Sequence, residues 1–323
     1  MPDGLAEATQ RLSVKQLRIV AAIEDHGSIR EAAESLNITQ PTATKALKEA
    51  ERILGVMLFT RTNRGVLPTQ YGTTLSRRAR LVLAELRHAG EEIRDLSEGF
   101  GGRVVVGTLL AASARLLPEA IARLRRERPK VTVSVVEGTN DILIPALRLG
   151  DLDLVVGRLP EFRGREGMHQ DVLYDEITCL VVRPGHPLLS SANITLADTL
   201  AWDFILPPPE TTLRRQLEHA FHDAGLKVPP IVMESVSVLT NRRLTSETDC
   251  ISVWPYQVVR QAVLDGRLMR LSITLPKAAG TVGVTTRAGA TPSPVTVALI
   301  AELRMIAARI ANETNGLKEA GVA

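Results

Sequence analysis

Thr39, Gln40, Pro41, Thr42 and Thr44 stand at the head of a run of good helix formers, Ser35 to Gly55, "SLNITQPTATKALKEAERILG". A solvated helix commonly opens with Asp or Glu, which suit its N-terminal dipole. Here amides and hydroxyls come first, and Glu49 and Glu51 appear only later. Such groups suit base edges in a major groove: Gln pairs bidentately with adenine, and Thr hydrogen-bonds bases or packs its methyl on thymine. A carboxylate in those places would repel phosphate. Pro41 costs nothing in a first helical turn, where its missing N–H has no partner to lose. Lys45, Lys48 and Arg52 lie further along and suit phosphates, which give affinity more than sequence reading.

The elements that position these residues are short helices. "SVKQLRIVAAIEDHG" places Leu17, Val20, Ala21 and Ile23 at helical spacing and stops at Gly27. "SIREAAESLN" follows, with Ser28 as N-cap and Glu31 three residues on, the pattern of a capping box. A tight connection at Asn37–Thr39 leads into the third helix, whose Ala43, Ala46, Leu47, Ala50 and Leu54 face inward until Gly55 stops it. That is a helix-turn-helix pattern, although three-helix bundles with capped turns also occur without any nucleic acid. The next residues, "VMLFTRTNRGVLPTQYG", predict a hairpin with its tip at Thr62–Gly65, flanked by Arg61 and Arg64 and anchored by Phe59 and Leu67. Such a wing can lie over a DNA backbone or into the minor groove.

"QYGTTLSRRARLVLAELRHAGEEIRDLSEGF" then runs about 30 residues without proline, and Leu75, Ala79, Val82, Leu86, Ala89, Ile93 and Leu96 recur at intervals 4-3-4-3-4-3. This narrow heptad seam with charged flanks predicts a dimerising helix. The alternative is a single amphipathic helix packed on its own domain. "GFGG", Gly99 to Gly102, ends it and reads as a hinge. Beyond the hinge, strands such as "RVVVGTLL", "KVTVSVVEG" and "LDLVVG" alternate with helices such as "LLPEAIARLRRERP" and "NDILIPALRLG", a doubly wound α/β pattern. A second set follows from "EITCLVVRPG" to "QVVRQAVLDG", and a last strand and helix close the chain. So many strands predict two lobes with a cleft.

The stretch "GSIREAAESLNITQPTATKALKEAERILGVMLFTRTNRGVLPTQYG" closely resembles the winged helix-turn-helix of LysR-type transcriptional regulators, and the resemblance extends along nearly the whole chain. It implies an α plus α/β fold. A winged helix-turn-helix at 1–68 leads through a dimerising linker helix at 69–98 and a hinge at 99–102 to an effector domain at 103–323. That domain resembles periplasmic binding proteins, with one lobe from about 103–172 and 276–312 and the other from 173–275. It implies that Ser28, Thr39, Gln40, Pro41, Thr42, Thr44, Lys45, Lys48, Arg61 and Arg64 contact promoter DNA. By the same resemblance the linker helix pairs two chains, dimers pair into homotetramers, and RNA polymerase is a partner. Met57-Leu58 before Phe59 departs from the short apolar set of many members and affects packing only.

For the effector, Thr108 ends the first strand of the α/β region, where open sheets bind ligands. Thr139 stands at a helix start and Arg158 just past a strand; Thr211 and Thr212 open a helix in the second lobe. Local roles are also available, since Thr139, Thr211 and Thr212 make good N-caps and Arg158 a good interlobe partner. The resemblance places these segments at the family's inducer contacts and adds Leu109, Ser237 and Trp254. Within the family, "LRLGDLDLVVGRL" and "VVRPGHPLL" look most like regulators of protocatechuate and of galactose-binding-protein genes, which implies an aromatic-catabolite acid or a sugar. Arg158 would suit a carboxylate.

Composition agrees with these readings without deciding them. Of 323 residues 45% are hydrophobic and 23% charged, a globular balance. Residues 1–80 hold 12 Lys and Arg against 8 Asp and Glu, which leaves 27 against 28 of the totals of 39 and 36. The excess positive charge therefore lies at the N-terminal end, as a polyanion partner requires. No long apolar run or signal pattern occurs, so a cytoplasmic protein without membrane contact is expected. Cys179 and Cys250 sit in apolar runs and read as buried structural thiols. His219 and His222 are spaced for one helix face, yet no further ligands accompany them, so no metal or other cofactor is expected. With no GxSxG, Walker A or GxGxxG pattern, catalysis is not expected. The rival to a regulator is a cytoplasmic small-molecule-binding protein without sequence-specific DNA binding.

Overall fold

The computed structural model describes residues 3–62, 65–98, 101–159, 167–191, 193–273, 275 and 280–319. The chain divides into two compact units, Met1–Ser97 with Leu149–Asp151, and Glu98–Arg148 with Leu152–Ala323.

The first unit holds α1 (Asp3–Gln10), α2 (Val14–His26), α3 (Ile29–Ser35), α4 (Gln40–Leu54), strands β1 (Phe59–Thr62) and β2 (Gly65–Pro68), and α5 (Gln70–Glu98). Ile19, Val20 and Ile23 of α2, Ala32 and Ala33 of α3, and Ala43, Leu47 and Ala50 of α4 form its core with Leu58 and Phe59. Burying these faces drives the three helices together, because each has an apolar stripe too short to stand alone in water. Helix ends are set locally. Gly27 and Gly55 close α2 and α4 in the left-handed conformation at φ 62° and 67°. The reciprocal capping box forms at Ser13 and Gln16, a pair that was not expected. At the expected pair, Ser28 Oγ accepts the Glu31 N–H at 3.4 Å.

β1 and β2 pair antiparallel from Phe59↔Pro68 to Thr62↔Gly65. Leu67 does not anchor them, being 58% exposed. Strand alternation turns it outward, and its neighbour Val66 packs on the core and donates its N–H to Gly27 O at 2.8 Å. Gly72 brings α5 against this hairpin, since a Cβ there would overlap the Leu58 carbonyl oxygen. Further along α5, Ser76 Oγ donates to Val20 O at 3.3 Å and Arg80 pairs with Glu24 at 2.9 Å and with Asp25. The expected heptad seam is consequently divided. Ala79 is buried and Leu75 half-buried against the helix core, while Val82, Leu86 and Ile93 are 45%, 49% and 67% exposed and Ala89 is exposed too. The side chain of Leu96 lies outside the described residues, as do Gly99 and Phe100 of the expected hinge.

The second unit contains β3 (Arg103–Thr108), α6 (Leu110–Ser113), α7 (Leu116–Glu127), β4 (Thr132–Glu137), α8 (Asn140–Leu149), β5 (Leu154–Arg158), β6 (Met168–Glu176), β7 (Thr178–Val182), β8 (Phe204–Leu206), α9 (Thr212–Asp223), β9 (Ile231–Glu234), α10 (Val238–Glu247), β10 (Ile251–Pro255), α11 (Tyr256–Leu264), β11 (Met269–Arg270), β12 (Gly280–Arg287) and α12 (Pro294–Glu319). Two five-stranded sheets result, ordered β4-β3-β5-β12-β6 and β11-β7-β10-β8-β9. In the first, β3 runs parallel to β4 and β5, whereas β12 is antiparallel to β5 and β6. Its inner side chains, Val104, Val106, Leu154, Val156, Val282 and Val284, pack with α7 and α12. On one face of the second sheet Phe204, Leu206, Ile251 and Val253 pack with Phe221 of α9, and on the other Cys179, Val181 and Trp254 pack with Val259 of α11. The fold is thus a helix-turn-helix unit followed by a two-lobed α/β domain.

The expected change of lobe at 172/173 falls inside β6, which stays paired with β12 as far as Glu176↔Gly280. The chain changes sheets between Glu176 and Thr178. β6 was not foreseen as a strand because "MHQDVLYDE" is polar at many positions; it is an edge strand, where one side needs no apolar cover.

Candidate DNA interface and effector site

The N-terminal face of α4 carries the residues singled out above. Gln40, Pro41 and Lys45 are exposed, as is Lys48 one turn further on, and Thr42 and Thr44 are half-buried. Gln40, Pro41, Thr44, Lys45, Lys48 and Arg52 line one shallow surface depression with Glu49. Positions 41, 45, 48 and 52 lie on one side of an α-helix, so the amide and hydroxyls sit at its start and the cations further along. Thr39 is the N-cap residue of α4 but makes no capping bond; its hydroxyl pairs with that of Thr42 at 2.8 Å. Ser28, by contrast, is committed to capping α3.

Arg52 is not poised for phosphate as expected. Its guanidinium is paired with Glu49 through bonds of 3.0 and 2.5 Å, and this pairing holds the Glu49 carboxyl below its ordinary value. Arg61 is exposed on β1 of the wing. Arg64, at the wing tip, lies outside the described residues. Gly65 shapes this hairpin: its φ is 131°, and a Cβ would come 2.6 Å from Gly27 O.

In the second unit, Thr108 and Arg158 end the adjacent parallel strands β3 and β5, with Thr108 opposite Val156. Both are buried, at 1% and 5% exposure. Leu109 continues from β3, donating its N–H to Val156 O at 3.0 Å. Thr139 precedes α8 and accepts the Leu143 N–H at 2.9 Å through its carbonyl. Arg158 donates to Thr178 Oγ1 at 3.1 Å and to Gln216 Oε1, joining the first sheet to the start of β7 and to α9. Thr212 sits one helical turn before Gln216, on the same side of α9. Arg158, Thr178 and Gln216 are therefore brought together, whereas the Thr212 hydroxyl accepts from Arg215 at 3.3 Å instead. Thr178 and Gln216 were not anticipated. Both stood in apolar or amphipathic runs with nothing to distinguish them.

Other expected ligand contacts are occupied locally. Thr211 Oγ1 caps α9, accepting the Arg214 N–H at 3.3 Å and donating to Pro208 O at 2.8 Å. Ser237 caps α10 and pairs with the Thr240 hydroxyl at 2.9 Å. Trp254 is 2% exposed and donates its indole N–H to Ser252 Oγ at 2.6 Å. It lies on β10, the central strand of its sheet with both faces covered, so it is a core residue and not a cleft residue.

Glu176, the last residue of β6, was also not foreseen. It is 1% exposed, accepts from Tyr174 Oη at 3.3 Å and from the Gln257 N–H at 3.4 Å. Burial pushes its carboxyl up to about 7, against the opposing pull of the Arg158 cation. The Gln257 side chain accepts from Arg115 at 3.0 Å, and Arg115 pairs with Glu313 of α12 at 2.7 Å, which holds its guanidinium firmly protonated. The Cys179 thiol is pushed up to about 12 by burial and is inert; Cys250 is half-buried rather than buried. Among the described residues no cluster of three or more His, Cys, Asp or Glu is arranged to hold a metal. His186 instead caps a helical turn, accepting the Leu188 N–H at 3.2 Å.

Residues 14–73 match the family described as "Bacterial regulatory helix-turn-helix protein, lysR family", and residues 97–307 match "LysR substrate binding domain". The chain is 36% identical over 245 residues to the HTH-type transcriptional regulator GbpR of Azospirillum brasilense, covering 76% of this chain and 72% of that one. It is 33% identical over 284 residues to PcaQ of Agrobacterium fabrum, covering 88% and 91%. Among solved structures it resembles CbnR in complex with its target DNA, with TM-score 0.63 and 22% identity over 91% of this chain and 99% of that one. No described helix is long and apolar enough to cross a membrane.

Proposed function

We propose that this chain, which belongs to the LysR family of bacterial transcriptional regulators, binds promoter DNA through α4 and the wing and alters transcription when a small acid occupies the region around Arg158. Like other family members it joins a helix-turn-helix unit to an effector-binding domain, and such proteins are regulators and not enzymes. The observation that carries the DNA reading is the exposed face of α4, on which Gln40, Pro41 and Thr44 precede Lys45 and Lys48. Gln40, Thr42 and Thr44 read bases, and Lys45, Lys48, Arg61 and Arg64 hold phosphates. A gel shift on DNA upstream of its own gene is the test. Absence of a sequence-preferring band, with and without inducers, leaves only the rival small-molecule-binding protein.

For the effector, an aromatic-catabolite acid is favoured over a sugar. Sugars are usually met by stacking aromatics, but Trp254 is in a core and Trp202 packs on His186 at a ring distance of 4.4 Å. Arg158 and its partners Thr178 and Gln216 offer a guanidinium, a hydroxyl and an amide, which suit a carboxylate. The exposed Val82, Leu86 and Ile93 support pairing of α5 between two chains into dimers and, through further contacts, tetramers. Effector binding shifts the balance between lobe arrangements, and with it the spacing of the DNA-binding units and the recruitment of RNA polymerase in the cytoplasm. A footprint whose length changes with effector supports this; an identical footprint at saturation counts against it.

A further inference from the structure

Glu176 borders the one-residue step between the two sheets: it ends β6, and Thr178 begins β7. Ile177 between them accepts the Tyr256 N–H at 2.8 Å, so the start of α11 is tied to the same crossover. The buried carboxyl receives long bonds from Tyr174 and the Gln257 N–H, and the Tyr256 N–H beside it also favours the charged form. Arg158 reaches this place from β5 because Gly280, paired with Glu176 across β12 and β6, has no side chain to obstruct it. The charge of Arg158 is therefore the cation that keeps Glu176 ionisable, and it is also the group an acidic effector would engage.

We propose that Glu176 couples effector recognition to proton uptake: an acid that engages Arg158 binds together with a proton from solvent on the Glu176 carboxyl. This rests on the acidic-effector reading given above. An anion beside Arg158 neutralises the field that favours the Glu176 carboxylate, and burial then favours the acid form. The other groups around it do not titrate in competition. Tyr174 on β6 is held protonated by burial and by Glu176 itself, and Cys179 on β7 by burial. Arg115, which acts on Tyr174 and bonds Gln257 of α11, stays cationic through Glu313 of α12. By linkage, a proton taken up with the ligand makes the ligand bind more weakly as pH rises.

The test uses the full-length protein with benzoate, 3,4-dihydroxybenzoate and neutral galactose as probes. Calorimetry in two buffers of different ionisation enthalpy near pH 7.5 should show a fraction of a proton taken up with a binding acid, and affinity should fall by up to about tenfold per pH unit above 7. Glu176→Gln should remove both effects. In the ligand-free protein, the difference in proton titration between wild type and Glu176→Gln should centre near pH 7 and move upward in Arg158→Met or in Gly280→Ala. Acid binding without proton uptake, uptake that persists in Glu176→Gln, or a difference titration at the ordinary carboxylate value overturns this proposal alone. Binding of galactose and of neither acid overturns the acidic-effector reading along with it.

Discussion

The Arg158 guanidinium lies across Gly280, where an added Cβ would come within 2.5 Å of Cζ. Arg158 pairs in register with Val282, two residues along β12 from Gly280, and Gly280 in turn faces Glu176 on β6. The side chain thus passes over β12 at Gly280 before it reaches Thr178 and Gln216. Any residue with a Cβ at 280 would block that route.

Gly280→Ala is therefore expected to leave the fold intact but to displace Arg158. Overpacking of this kind costs on the order of 1–3 kcal/mol. Urea unfolding should show that loss. Gly90→Ala is the contrasting substitution, in a helix with nothing within 4 Å of the added Cβ, and should stabilise by about 0.5–1 kcal/mol. Equal stability of the Gly280 variant and wild type would mean that Arg158 is free to move aside.

A pH dependence of stability follows from Glu176. Its carboxyl is carried from 4.5 to about 7 by folding. A raised folded-state value means that the contribution is complete below the unfolded value of 4.5 and is lost as pH rises toward 7, levelling off above it. The span corresponds to roughly 3 kcal/mol. Glu176→Gln lacks this dependence, so denaturation of the two proteins should agree at acid pH and diverge up to neutrality, with the Gln variant the more stable. A constant difference from pH 5 to 8 would contradict the burial of a titrating carboxyl.

Phosphate and base contacts on α4 separate by salt and by sequence. Replacing Lys45 or Lys48 by Ala should reduce the slope of log affinity against log salt by about 0.9 for each phosphate no longer neutralised, with little change in sequence preference. Gln40→Ala should leave the slope and relax discrimination at one base pair by about 1–3 kcal/mol. Fluorescence anisotropy with operator and scrambled duplexes at several salt concentrations distinguishes these outcomes.

Much of the helix-turn-helix unit was legible because its determinants are local. Apolar spacing set the faces of α2, α3 and α4, and Gly27 and Gly55 marked their ends. The hairpin was legible as well, but Leu67 was assigned inward, since the parity of a four-residue strand depends on how it docks. In the second unit the strand and helix alternation revealed two lobes, while β6 was hidden by the polar residues an edge strand tolerates. Only the family resemblance puts Trp254 among the ligand contacts; the sheet order, with β10 in the centre, makes it core. Arg158 was legible as a cation at a strand end. Its neighbours Thr178, Gln216, Glu176 and Gly280 come from four other elements, and no spacing in sequence connects them.

The divided seam on α5 gives the last prediction. Leu75 and Ala79 serve the helix core of their own unit, so their replacement should destabilise that unit in any oligomeric state. Leu86 and Ile93 lie beyond that core and are 49% and 67% exposed, an apolar surface that a helix keeps when a second chain covers it. Leu86→Glu with Ile93→Glu should weaken association by at least about tenfold, since each introduces a charge where a nonpolar side chain would be buried. Light scattering with size exclusion should then show smaller species, with the far-ultraviolet helical signal retained. An unchanged mass at micromolar concentration would mean that α5 does not join the chains.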